Sequence, residues 1–257
     1  MVVVSLRFAF ILSCTLLYGC QHLKEGNTEK QEAFGKKEDA ASFNTELGLA
    51  YLKQGDIPRA KRKLLSALTF APDSVEANGA MAYFLEKTSD FTQAKTFYLK
   101  ALALSPGKGA QLNNYGAFLC RTGHYAEAEQ YFLKAVNDVN YVNSAAAYEN
   151  AGLCAEELPN LPKARAYFSQ ALANDPQRQQ SLYELVSLEL RQNNTQQALD
   201  ELKKYQLLLN NNQLLLELAL KTAQKAKNKE LASQYQLRLN NLTDYTGVNN
   251  EYDSVNG

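Results

Sequence analysis

The 257-residue chain has no tryptophan, two histidines and six prolines, and its four cysteines include no C-x-x-C pair. The histidines, His22 and His124, lie far apart in sequence, which is thin material for a metal site or a histidine-based catalyst. Dithiol redox chemistry lacks its motif, and so do a glycine-rich phosphate loop and a set of metal ligands at the right spacing. An excess of one charge is missing too. Lys+Arg and Asp+Glu are both 27, so no global basic field recruits nucleic acid or anionic lipid. Long apolar runs are also absent: the most apolar stretch, Phe8–Leu17, is shorter than the roughly twenty residues that span a bilayer. The adjacent acids Glu156 and Glu157 are the nearest approach to a catalytic carboxylate pair, and a solvated helix end accounts for them. The chain reads as a non-enzyme that uses no cofactor.

What is present is a helix-forming composition, 46% apolar and 21% charged, arranged with a long period. From Gly116, steps of 34 lead back to Ala82 and Gly48; a step of 36 leads on to Gly152, and further steps of 34 to Val186 and Leu220. A second column holds better: Ala60, Ala94, Ala128, Ala164, Ala198 and Ala232. Seven residues later come Ala67, Ala101, Ala135 and Ala171, and between them lie the bulky Leu64, Tyr98, Phe132, Phe168 and Leu202. Pro72, Pro106 and Pro176 close three of the units, since proline ends a helix. The turn signals "KQGD", "RTGH" and "RQNN" fall between the columns.

This column set at this period resembles the tetratricopeptide repeat, a helix, a tight turn and a second helix running back. The resemblance implies an all-α fold, a tetratricopeptide-repeat superhelix (an α-α solenoid) of six helix-turn-helix repeats over residues 43–244. The small residue on each first helix is expected to face the alanine twelve positions later, giving up helix propensity for close backbone approach. The last two repeats are eroded, as terminal repeats are. Residues 245–257 form a polar C-terminal tail expected to fray.

The N-terminus follows a different logic. Arg7 followed by Phe8–Leu17 fits a secretory signal, and "LLYGC" resembles a bacterial lipobox. Gly19 and Cys20 take the cleavage and lipidation places, with Leu17 three before the cysteine and Tyr18 departing from the usual small residue. On this reading residues 1–19 are removed and Cys20 carries acyl chains that hold the protein on a membrane; an ordinary secretory signal with an incidental Cys20 is the alternative. Gln21 after the cysteine implies sorting to the outer membrane. Residues 20–42, charged and poor in branched apolar residues, are expected to form a flexible tether.

With Cys14 removed and Cys20 acylated, Cys120 and Cys154 remain. They sit on first helices of adjacent repeats at offsets that let them face one another, so they are a disulfide candidate in an oxidising compartment. Two buried free thiols are the alternative. A concave face lined by first helices would include Thr45, Leu49, Leu52, Tyr83, Asn113, Ala117 and Glu149, with Leu153 and Tyr183 further along. Leu49, Leu52 and Tyr83 give its early part an apolar character suited to a peptide.

Beyond the generic repeat, "ELGLAYLKQGD", "LNNYGAFLCRTGHYAEAEQYF", "YENAGLCAEE" and "KARAYFSQALANDP" resemble the type IV pilus biogenesis and stability lipoproteins of the PilF/PilW family. What that implies is a pilotin on the periplasmic face of the outer membrane. It would bind the secretin subunit and promote that subunit's localisation and multimerisation, with other pilus assembly proteins as further partners. A general periplasmic adaptor for cell-wall enzymes or barrel assembly is the alternative.

Overall fold

The structure, a computed structural model, describes the backbone of residues 22–158 and 160–255 and the side chains of residues 35–158 and 160–242. The expected signal (1–19) and Cys20 lie outside the described residues. Among those described, every regular element is helical. The order is α1 (His22–Lys53), α2 (Ile57–Phe70), α3 (Val75–Lys87), α4 (Phe91–Leu104), α5 (Gly109–Arg121), α6 (Tyr125–Val136), α7 (Ser144–Glu156), α8 (Leu161–Asn174), α9 (Gln179–Arg191), α10 (Thr195–Lys204), a 3-10 turn (Gln206–Leu209), α11 (Gln213–Lys225) and α12 (Lys229–Val255). Consecutive pairs make six antiparallel hairpins. The described residues fall into two compact units, divided between Leu104 and Ser105. The first holds two hairpins and the second four.

The repeat columns become the packing. Ala60, Ala94, Ala128, Ala164 and Ala198 are fully buried. The small residue of each first helix, however, does not chiefly face that alanine. A Cβ on Gly116 would come within 2.9 Å of the Phe132 ring and 3.3 Å of the Ala128 carbonyl oxygen. On Gly48 it would meet Leu64 at 2.6 Å, and on Gly152 Phe168 at 2.6 Å. The glycine makes room for the bulky side chain sixteen positions on, and the alanine admits the helix backbone behind it. The expectation is corrected on this point: a large side chain reaches across the hairpin, which sequence spacing by itself does not reveal.

Five of the hairpin turns hold one residue in the left-handed region. Gly55 (φ 78°), Ser89 (65°), Gly123 (83°), Asn193 (61°) and Lys227 (57°) hold that place. Glycine takes it without strain; the others accept a cost so that the second helix can return. Asp56 and Asn160 cap the helices that follow, accepting from the Arg59 and Lys163 amides, with proline in the first turn of each. The second helices end just before Pro72, Pro106 and Pro176.

The two-residue excess between the third and fourth repeats lies in the α6–α7 connection. Asp138 accepts from the Gly109 amide at 2.8 Å and from the Asn140 amide at 3.0 Å. Tyr141 lies so close to Gly109 that a Cβ there would sit 2.5 Å from it. The extra length is spent on bracing α5.

Both ends differ from expectation. The segment expected as a tether is helical from His22 onward, continuous with the first repeat. It is rich in Lys, Glu and Ala and contains no proline, so residues that cannot build a core still propagate a helix. At the other end, α12 continues through the expected tail to Val255.

Candidate functional site

In the first unit α1 and α3 carry the predicted apolar positions. Leu49 is 37% and Tyr83 38% exposed, and Leu52 is half-buried. Leu49 and Tyr83 occupy equivalent places in successive repeats, one turn beyond Thr45 and Gly79. Lys87 sits over the Tyr83 ring at 5.3 Å, a cation–π contact that orients the ring. Gly79 was not singled out from sequence. It lies inside α3, and a Cβ there would have nothing within 4 Å. A helix-interior glycine costs about 1 kcal/mol against alanine. At Gly48 and Gly116 packing demands that cost; at Gly79 no neighbour does. The result is a notch beside an exposed tyrosine. The signal available in sequence was a helical glycine outside the small-residue column.

Three predicted contact residues turn inward. Thr45 is 6% exposed and donates its hydroxyl to the Ala41 carbonyl at 2.8 Å. Asn113 is buried and accepts from the Asn150 amide at 3.0 Å, tying α5 to α7. Glu149 accepts from Arg178 at 2.8 Å and from the Ser181 hydroxyl at 2.7 Å, tying α7 to α9. Arg178 also donates to Asn143 at 2.8 Å. Asn113 and Glu149 join repeats to one another, and Thr45 bonds back onto its own helix. Ala117 is half-buried.

Cys120 and Cys154 form a disulfide, with Cα atoms 5.7 Å apart, linking α5 to α7, which the Asn113–Asn150 bond also joins. Glu156, one of the adjacent acids, pairs with Arg191 on α9, while Glu157 is exposed. Among the described residues no group of three His, Cys, Asp or Glu is placed to hold a metal ion, and no helix is long and apolar enough to cross a membrane.

What this arrangement offers is a surface of helix faces braced from behind, suited to holding another polypeptide. Tetratricopeptide-repeat models match residues 109–177, and 45–109 together with 160–207. The chain belongs to the tetratricopeptide-repeat family, whose members bind protein partners. Among solved structures it is similar to PilF of Pseudomonas aeruginosa, at 27% identity over 84% of this chain and 99% of that one, TM-score 0.66. It is also similar to PilW, a type IV pilus biogenesis factor, at 28% identity over 80% of this chain and 94% of that one, TM-score 0.64. MamA of Desulfovibrio magneticus shares the fold at 22% identity, TM-score 0.52. No curated protein matches the chain. It is a PilF/PilW-like tetratricopeptide-repeat protein.

Proposed function

We propose that the chain acts in type IV pilus biogenesis as an outer-membrane lipoprotein, acylated at Cys20, that binds the secretin subunit. In this reading it promotes the subunit's delivery to the outer membrane and its multimerisation there. The observation that carries the reading is the similarity to PilF and PilW across nearly their full lengths, at identities above that of MamA. The face of α1 and α3 supplies a place for the partner. Leu49 and Tyr83 offer apolar area, and the notch at Gly79 admits a bulky side chain against the helix backbone.

Deleting the protein should leave secretin monomers while heat-resistant multimers disappear from a denaturing gel. Restoring it with Tyr83→Glu should recover few of them, and Cys20→Ala should lose acyl labelling and mislocalise. Normal multimers in the deletion strain would remove the secretin reading. A pull-down rich in peptidoglycan hydrolases or barrel-assembly proteins, without secretin, would favour the adaptor role.

A further inference from the structure

The second helices of the first two hairpins, α2 and α4, carry a surface that the α1–α3 face does not include. Each buries its alanine columns against its own hairpin. Outside those columns, three positions are apolar in both helices and stay exposed: Ile57 and Phe91, Leu65 and Leu99, Phe70 and Leu104, each pair one 34-residue step apart. Leu65 is 49% and Leu99 43% exposed. Packing within the hairpin does not call for large apolar side chains facing water, so their recurrence needs another reason.

The charge on these helices is of one sign. Arg59, Lys61, Arg62 and Lys63 lie on α2, Lys95 and Lys100 on α4, and neither helix contains an acidic residue. Lys61 and Lys95 hold equivalent places, each about one helical turn before the exposed leucine. Two of the cations are taken, Arg59 by Asp56 and Lys100 by Asp73 and the Pro72 carbonyl. Lys61, Arg62, Lys63 and Lys95 make no ion pair among the described residues; Asp56 feels the charge of Arg62 but is bonded to Arg59. The pattern ends with α4. In α6 the lysine place before Leu133 holds Glu129, which accepts from Lys163 and Tyr167. In α10 two acids balance two lysines.

Free cations beside exposed leucines at helical spacing suit a helix lying on an anionic lipid surface. The aliphatic tips enter the acyl boundary, while the lysine and arginine stems run along it and carry their charges to phosphate oxygens. A nucleic acid would meet the charges and leave the leucines in water; a neutral protein face would do the reverse. We propose that the α2–α4 face rests on a membrane surface bearing anionic headgroups, with Leu65 and Leu99 at the acyl boundary and Lys61, Arg62 and Lys95 against the phosphates. Because α1 runs antiparallel to α2, docking through α2 lays α1 along the surface. The contact adds to the acyl anchor proposed at Cys20 and does not rest on it.

The test uses the full chain carrying Cys20→Ala, so that acylation plays no part, and every further variant is made in that chain. Partition is measured by flotation with vesicles of phosphatidylcholine alone, and of phosphatidylcholine and phosphatidylglycerol in equal parts. Residues 1–19 are present in every arm, so any binding through them is common to all. At low salt, partition onto the anionic vesicles should be at least about tenfold the stronger, and should fall as salt screens the charges. Lys61→Gln with Arg62→Gln should weaken it about twentyfold, roughly fivefold for each charge. Lys203→Gln with Lys204→Gln, an equal loss of charge on α10, should leave it within about twofold. Leu65→Ser with Leu99→Ser should weaken it about tenfold. These positions are exposed, so the variants should melt with the parent. Equal partition onto the two kinds of vesicle, absence of binding, equal losses from the two charge pairs, or no loss from the leucine pair would overturn the proposal. So would a dimer in sedimentation velocity that Leu65→Ser abolishes, which would assign the face to a second copy of the chain.

Discussion

The third and fourth repeats and the fifth and sixth solve one packing problem in opposite ways. In the earlier pair the first helix gives up its side chain, at Gly116 and Gly152, and an aromatic from the second helix fills the space, Phe132 and Phe168. In the fifth repeat Val186 and Leu202, both fully buried, share the volume. In the sixth the sizes are exchanged: half-buried Leu220 occupies the glycine position and exposed Gln236 the aromatic one. What persists is a filled space across the hairpin, not the residue at either position. This is what close packing requires, since a gap and an overlap both cost stability.

The largest expected effect lies where one side carries all the volume. Phe168→Ala should cost about 3–5 kcal/mol, whereas Gln236→Ala, at the equivalent exposed position, should change stability by less than about 0.5 kcal/mol. Chemical denaturation of the two variants checks this; equal losses would break the contrast between the halves. Next comes the disulfide, which braces the earlier pair alone. Cys120→Ser should cost about 3–4 kcal/mol in the chain-entropy account of a closed loop of this length, and a reductant should lower the parent's melting temperature without affecting the variant's. The smallest effect separates two glycines. Gly116→Ala should destabilise by up to about 2 kcal/mol, the steric cost less the propensity gain. Gly79→Ala, with open space around the new methyl, should stabilise by about 1 kcal/mol. Calorimetry of the pair tests whether the Gly79 notch is free of any packing duty.

The repeat period made the hairpins, their turns and their buried alanines legible, because each unit repeats the same local problem and the columns report its solution. What stayed hidden depends on contacts between residues some thirty positions apart. Nothing near Glu149 in sequence announces that Arg178 and Ser181 will claim its oxygens, and nothing near Asn113 announces Asn150. A polar residue on a first helix reads the same from sequence whether it greets a partner or the next repeat. The lead-in segment was misjudged for another reason. Its composition lacks core-forming residues, and that deficiency does not prevent helix once a packed helix follows it.

Helix α1 is 32 residues of unbroken helix, about 48 Å at the standard rise. A coil of that many residues would let its load wander and fold back; a rod does neither. Under the acylation proposed for Cys20, this length would set the greatest standoff of the first repeat from the membrane surface.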